Sequence, residues 1–409
     1  MKMKMNFTSI QHNSPHGTLP KDCVSSAKAK MKPRVLVIAD DLTGACDSGL
    51  AFVKAGYSVS VSLSAIETWE SEALADVIAL STETRNLGEA EAQDRLLLLG
   101  DLSRFSCSLL FKKIDSAGRG NPGTEMLATS RLSGCDGIVY APAFPAAGRT
   151  VLNGILRVQD VSGQDTELNL LSLIPSSDRN RVALIPVQDS LSLRNALLQA
   201  HAAGKDIWLC DSGQQDDLHR IASVASALPL RLLWAGSAGL AEAVAELMET
   251  ESAVNVPAAA ATSAAGCTLL FSGTTHPVTL MQLDRMTPYA SSLALEDEAS
   301  VLSSCCGMVR LAWDRTTEDS IREFWKRLQQ SGRPAVDSLV LTGGDTAAFV
   351  LQALHATSLR LGGEVEPGIP WGIVDGGLAQ GCTIITKSGG FGVELSLKNA
   401  VDFCRRLRA

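Results

Sequence analysis

From Arg34 onward, short apolar runs alternate with segments whose apolar residues recur at helical spacing. Val35-Leu36-Val37-Ile38 has the unbroken apolar character of a buried strand. Cys46, Gly49, Leu50 and Val53 then follow at i, i+3, i+4 and i+7, one face of a helix that Gly56 closes. Residues 58–63 alternate strictly, as a half-buried strand does. The same reasoning predicts strands over 76–81, 107–114, 137–141, 182–185, 207–210 and 230–234, and an amphipathic helix over 236–250. The pattern breaks at 251–266, where Pro, Ala and Ser replace the large apolar residues, and this stretch reads as a linker. A new unit opens with a strand over 267–271, a helix carrying Met281 and Leu283, a strand over 338–341 leading into a glycine turn and helix, and a last strand over 382–385. Residues 364–372, EVEPGIPWG, read as a Pro/Gly loop. Residues 1–30 are polar and aperiodic, without the apolar core of a secretory signal; they read as a disordered tail, with Met31 as an alternative start.

This alternation predicts an α/β fold of two domains, 31–250 and 267–409, each a mostly parallel sheet flanked by helices, with the active site in the cleft between them. If the strands run parallel, the segments that follow them share one sheet edge, where open α/β sheets place their ligands. The loops at Asp40-Asp41, Thr84-Arg85, Asp115 to Arg119 and Ala143 to Arg149 are then brought together into one candidate pocket.

Composition narrows the class. A chain of 409 residues that is 45% hydrophobic and 20% charged is ordinary globular material. A net charge of −8 argues against a nucleic-acid or anionic-membrane surface and leaves small anionic ligands open. No apolar run is long enough to span a membrane. The 10 cysteines form no CxxC pair and read as reduced core residues of a cytoplasmic protein; the six histidines show no metal-ligand spacing. His276, in a loop near Ser272, reads as solvent-exposed, and apolar edge strands are compatible with a homodimer.

Three small-residue turns follow strands in the second unit: Ser272-Gly273-Thr274, Thr342-Gly343-Gly344-Asp345-Thr346 and Thr386-Lys387-Ser388-Gly389-Gly390-Phe391-Gly392. Such turns let backbone N–H groups approach a phosphate at a helix N-terminus, although Asp345 or Thr346 could instead only cap the helix. No GxxxxGK[ST] occurs and no GxGxxG follows a strand, which argues against a P-loop enzyme and a dinucleotide dehydrogenase. In the first unit Asp41, Arg85, Asp115, Ser116, Arg119 and Asn121 suit a small polyol acid: arginine grips a carboxylate, and Asp and Asn bond hydroxyls. Each has a plainer reading. Arg85 could be a surface charge, Arg119 and Asn121 could stabilise their own loop, and Asp40 could pair with a lysine or cap a helix. Strand alternation sends Asp40 and Asp41 to opposite faces, which disfavours a phosphatase needing both on one phosphorus unless the strand has ended at Asp40.

Eight stretches, IADDLTGACD (38–47), TETRNLGEAEA (82–92), KKIDSAGRGNPGTE (112–125), PAFPAAGRT (142–150), AGSAGLA (235–241), LTGGDTA (341–347), EPGIPWG (366–372) and TKSGGFG (386–392), together resemble the four-carbon acid sugar kinases. That resemblance implies a sugar-acid domain followed by a nucleotide domain, and Mg²⁺- and ATP-dependent phosphorylation of a terminal hydroxyl on D-threonate, D-erythronate or a 3-oxo-tetronate. It implies that Asp40, Asp41, Arg85 and the stretch Lys113 to Ser116 serve the sugar acid, while Ser272, Gly343, Gly344, Asp345, Thr346, Ser388 and Gly389 serve ATP. Asp41 is the expected base or hydroxyl-orienting group, with Asp345 and Asp115 as rivals, and Lys387 is expected to offset charge at the transferred group. Domain closure over the linker is expected on binding. Where relatives commonly read DSTLRGN, this chain has Ala117 and Gly118, which leaves the acid sugar open. The alternatives are a non-catalytic sugar-acid sensor and an enzyme acting on phosphorylated tetronates without ATP.

Overall fold

The apolar run Val35–Ala39 is buried at every position, as expected of a strand with both faces covered. The computed structural model describes residues 34–63, 75–105, 107–159, 165–248, 266–296, 306–314, 316–330 and 336–408. The tail at 1–30 and all of the linker except Gly266 lie outside these residues. The first half runs β1 (Val35–Ala39), α1 (Leu42–Lys54), β2 (Val59–Ser62), β3 (Val77–Ser81), α2 (Glu89–Leu97), β4 (Leu109–Lys113), α3 (Pro122–Ser133), β5 (Gly137–Ala141), β6 (Arg149–Leu152), β7 (Ile155–Gln159), β8 (Asp165–Asn169), β9 (Val182–Ile185), α4 (Ser190–Ala202), β10 (Ile207–Cys210), α5 (Gln215–Ser226), β11 (Leu232–Gly236) and α6 (Ala238–Leu247). The second half runs β12 (Cys267–Ser272), α7 (Pro277–Met286), β13 (Ser291–Leu293), β14 (Cys306–Arg310), α8 (Glu318–Gln330), β15 (Val336–Thr342), α9 (Gly344–Ala353), β16 (Ser358–Glu366), β17 (Ile369–Asp375), β18 (Thr383–Lys387) and α10 (Ser396–Arg408).

The fold is α/β with a mostly parallel sheet flanked by helices. The strands of the two halves form one continuous sheet of 15 strands, in the order β13-β14-β12-β15-β18-β17-β16-β2-β3-β1-β4-β11-β5-β10-β9. The seam is an antiparallel ladder that sets Ser358, Leu359 and Arg360 against Ser62, Val61 and Ser60. A hinged swing of one half against the other would have to break this ladder. Helix α1 also packs on both sides of the seam, against β2, β3 and α6 on one side and β16, β17, β18 and α9 on the other. Its burial on nearly every face follows from that position.

One face of the sheet is covered by α1, α4, α5, α6, α8 and α9. The other is covered by α2, α3 and the small sheet β6-β7-β8 in the first half, and by α7 and α10 in the second. The helices carry the expected stripes: Ile321, Phe324, Trp325 and Leu328 of α8 are buried at i, i+3, i+4 and i+7. The Pro/Gly reading of 364–372 needs correction, because this stretch is the end of one strand and the start of the next. Pro367 and Gly368 make the connection between β16 and β17, with Gly368 at φ +75°. Register shifts beside Glu364 and Glu366 admit Pro370 into the ladder. Strands β6 to β8 were also not predicted; their partly exposed, polar pattern carries little signal.

Gly118 explains the departure from the relatives' loop. It sits at φ +75°, and a methyl group there would come 2.5 Å from Leu168 Cδ2 and 3.4 Å from Leu173 Cδ1. The small sheet thus fills the volume that a bulky residue at 118 would occupy. Gly118→Ala is expected to cost about 1–2 kcal/mol for the left-handed backbone, read as a lower urea midpoint. An unchanged midpoint would mean that the loop relaxes freely.

Candidate active site

The parallel strands β3, β1, β4, β11 and β5 are consecutive neighbours, so the loops at their C-terminal ends line one edge, as the alternation predicted. A cleft there is lined by Asp41, Arg85, Lys113, Asp115, Ser116 and Arg119 from the first half and by Ser388 and Phe391 from the second. Asp40 and Asn121 support it from outside the lining. Asn121 Nδ2 donates to Leu87 O at 2.9 Å, tying the loop after β4 to the loop after β3.

Asp40 and Asp41 do not go opposite ways. The strand ends at Ala39, so alternation no longer governs them. Arg85 donates Nε to Asp40 Oδ2 and Nη2 to Asp40 Oδ1, both at 2.8 Å, and Nη1 to Asp41 Oδ2. Burial opposes the Arg85 charge, but bonds to Asp40 and the charges of Asp40, Asp41 and Asp115 hold its pKa above the ordinary value. Asp41 also caps α1: Oδ1 accepts from Gly44 N at 2.7 Å and Oδ2 from Thr43 Oγ1 at 2.7 Å. Arg119 holds Asp115, with Nη2 donating to Oδ2 at 2.6 Å. Asp115 is buried, yet Arg119, Arg85 and Lys113 keep its carboxyl well below the usual range.

Lys112 and Lys113 do follow alternation. Lys112 turns toward α3 and pairs with Glu125 Oε2 at 2.7 Å, both side chains 1% exposed. Lys113 turns toward α1, where a methyl on Gly44 would lie 3.3 Å from its Nζ. Asp47, four residues after Thr43 and three after Gly44, shares their helix face and lines the cleft. Among the described residues it accepts no side-chain or backbone hydrogen bond. Burial pushes its carboxyl up to about 7, with Lys113 and Arg85 opposing and Asp41 and Asp115 adding. Asp47 was passed over in the sequence although it lies in the IADDLTGACD stretch; its i+3/i+4 spacing from Gly44 and Thr43 was the available signal. Arg149, at the start of β6, closes the loop Ala143 to Arg149 that the sequence placed in the pocket, and it lines the cleft, although it was not singled out as a site residue.

The three glycine turns of the second half converge at the ends of neighbouring parallel strands β12, β15 and β18. Gly273 N donates to Thr346 Oγ1 at 3.0 Å, and Gly343, at φ +101°, donates its N–H to Lys387 O at 2.8 Å. A methyl on Gly389 would come 2.9 Å from Thr274 Oγ1. Ser272 Oγ is buried and makes no hydrogen bond among the described residues. Asp345 is exposed at the start of α9 and accepts from Asn86 Nδ2 of the first half at 3.3 Å. Trp313, half-exposed, donates Nε1 to Gly273 O at 2.7 Å and stands edge-on to Phe349. His276 is exposed as expected, and its Nδ1 caps α7.

Lys387 differs from its expected place. Its ammonium is buried and donates to Thr279 Oγ1 at 3.1 Å, Ser388 O at 2.9 Å and Phe391 O at 3.2 Å. It therefore organises the turn 388–391 from inside, and burial lowers its pKa to about 8. Among the described residues no group of three or more His, Cys, Asp or Glu could hold a metal, and no helix is long and apolar enough to cross a membrane.

Comparison with known proteins gives the two halves separate descriptions. A family described as a sugar-binding N-terminal domain matches residues 35–244, and one described as a nucleotide-binding C-terminal domain matches residues 291–397. A D-threonate kinase of Salmonella typhimurium is 29% identical over 430 residues, covering 91% of this chain and 99% of the relative. A 3-oxo-tetronate kinase of Pseudomonas savastanoi is 26% identical over 413 residues, covering 88% and 95%. A Salmonella typhimurium LT2 protein solved under the description of a tRNA synthase superposes with a TM-score of 0.71 at 22% identity, covering 90% of this chain and 99% of the other, a likeness of fold alone. The chain belongs to the four-carbon acid sugar kinase family, in which a sugar-binding domain precedes a nucleotide-binding domain.

Proposed function

We propose that this protein is a kinase that transfers the γ-phosphoryl group of ATP to the terminal hydroxyl of a four-carbon acid sugar such as D-threonate, D-erythronate or a 3-oxo-tetronate. One observation carries the reading furthest. A methyl on Gly344 would lie 3.2 Å from Asp41 Oδ2 and 3.2 Å from Thr43 Oγ1, so the glycine turn of the second half abuts the aspartate loop of the first. An acceptor held at Asp41 and a phosphate held at Gly343-Gly344 would be neighbours, which is the alignment that phosphoryl transfer requires.

The turns at Ser272 to Thr274, Gly343 to Thr346 and Ser388-Gly389 suit the triphosphate. The Gly343 backbone is left-handed, Ser272 Oγ has an unused hydrogen-bonding capacity, and Asp345 stands exposed at the start of α9. Asp345, exposed in the first turn of α9, would be the residue of these turns able to hold a Mg²⁺ brought with the nucleotide, which would offset phosphate charge. Asp41, held by Arg85 and by its own helix cap, orients the acceptor hydroxyl. Asp47 takes the hydroxyl proton as the new O–P bond forms and the bond from the γ-phosphorus to the bridging oxygen breaks, releasing ADP. Lys113 lies on the same side and offsets charge at the transferred group. Lys387 holds the turn that carries Ser388.

ADP release measured across four- and five-carbon aldonates and their 3-oxo forms tests the assignment. Turnover of at least one four-carbon acid, dependent on ATP and Mg²⁺, is expected. Absence of turnover on every member would remove the substrate class, and phosphate release from tetronate phosphates without ATP would favour the non-kinase reading.

A further inference from the structure

Three arginines line the cleft, and two of them are already committed to carboxylates. Arg85 is bonded to Asp40 and Asp41 and lies 3.6 Å from Asp115; Arg119 is bonded to Asp115. Arg149 is different. It donates Nη1 to Ala147 O at 2.7 Å, while its Nε is buried and finds no acceptor among the described residues. A buried guanidinium N–H without an acceptor is costly and is normally satisfied by something. Burial also lowers the Arg149 pKa; Asp115 opposes this and the charge of Arg119 adds to it.

Its place along the sheet edge gives this orphan group a direction. Asp41 follows β1, Lys113 and Asp115 end and follow β4, Ser237 follows β11, and Arg149 lies beyond β5. Three inter-strand steps of about 4.8 Å separate the backbone of β1 from that of β5 by roughly 14 Å. Side chains reaching inward from both ends leave a span suited to a four-carbon chain. The phosphoryl-transfer end is fixed at Asp41 by the approach of Gly344. The opposite end holds Arg149, Phe144 and the start of α6, whose cap Ser237 also donates to Ala143 O at 2.6 Å and so ties the loops after β11 and β5 together. Unused N–H groups at a helix start favour negative charge, in keeping with the arginine beside them.

We propose that Arg149 is the receptor for the carboxylate of the sugar acid, gripping it at the far end of the cleft so that the terminal hydroxyl reaches Asp41, and that it makes the enzyme select acids over the corresponding neutral polyols. The proposal rests on the sugar-acid reading above and adds the orientation of the substrate and the residue that sets it.

The test compares the parent, Arg149→Gln and Arg149→Lys on the best four-carbon acid and on the alditol that lacks its carboxylate, used as substrate or, where turnover is too slow, as a competitive inhibitor. Arg149→Gln is expected to lower kcat/KM for the acid by about 100-fold or more, mainly through KM, with the alditol changed by no more than about threefold. KM for ATP should not move, and Arg149→Lys should recover part of the loss. Equal losses on acid and alditol, or no loss on the acid, would overturn the proposal. Calorimetric binding of the acid without ATP separates this outcome from failure of the kinase reading. An acid that binds the parent and not Arg149→Gln supports the receptor even without turnover, whereas equal binding to both refutes it even in an active kinase.

Discussion

Asp47→Asn is expected to lower kcat by about 10²–10⁴-fold at pH 8, the usual contribution of a positioned proton acceptor. In the parent, kcat should rise with pH through about 7, where burial holds the Asp47 carboxyl, and the variant should lose that rise. The groups facing Asp47 are Asp41 at the start of its own helix, Lys113 and Asp115 from β4 and its loop, and Arg85 from the loop after β3. Their charges partly cancel, which leaves burial as the dominant cause. The same residue makes a stability prediction of opposite sign. Its folded pKa of about 7 lies above its ordinary value of 3.8, so the folded state binds more protons between these limits and stability falls as pH rises through that window. The penalty is fully present above pH 7 and absent well below pH 4. Asp47→Asn removes it, so the variant should be more stable than the parent at pH 8, on the order of a few kcal/mol at most, and no more stable at pH 4. Urea midpoints at the two pH values check this. A kcat within tenfold of the parent at every pH would exclude Asp47 as the acceptor. A large loss of activity accompanied by destabilisation at pH 8 would mark it as structural.

Much of this site could be read from the chain because a parallel α/β sheet sends every strand's C-terminal loop to one edge. That rule places the loops of Asp41, Arg85 and Asp115 on one edge, and the glycine turns on the corresponding ends of β12, β15 and β18; singling these residues out within their loops took their side-chain chemistry and the family resemblance as well. Features that depend on where a side chain's partner lies were not legible in this way. Asp40 and Asp41 share Arg85 because the strand stops one residue earlier than alternation assumed. Lys387 reads as a cation in a phosphate loop, yet its ammonium faces inward onto the carbonyls of the turn it begins. Nothing in the spacing of Arg85, Arg119 and Arg149 distinguishes the uncommitted member, since that depends on which carboxylates lie opposite. The continuous sheet was hidden for a similar reason: the β2–β16 seam joins residues about 300 positions apart through a ladder of three residue pairs, and the two strands' sequences carry no record of each other.

The largest loss of stability should come from the other lysine of the pair that ends β4. Lys112 and Glu125 form an ion pair at 2.7 Å with both side chains 1% exposed, and Lys112 also donates to Lys113 O at 3.2 Å. Taking two charges out of water is costly, so the pair itself adds little net stability; removing one partner strands the other in the core. Glu125→Ala is therefore expected to cost about 3–5 kcal/mol, whereas Lys112→Met combined with Glu125→Leu should restore most of the loss because it strands no charge. Equilibrium denaturation of the single and double variants measures both, and a double variant as unstable as Glu125→Ala would show that packing, not charge, accounts for the loss. The effect should reach the site as well. Lys112 is the penultimate residue of β4 and Glu125 lies in the first turn of α3, so the pair clamps the two ends of the segment that carries Asp115, Ser116 and Arg119. Because the double variant keeps the fold but replaces the ionic clamp with apolar contact, its KM for the acid sugar separates two roles. A KM near the parent's would mean that packing suffices to position Asp115. A raised KM at restored stability would mean that the ionic Lys112–Glu125 contact sets the loop's register over the cleft.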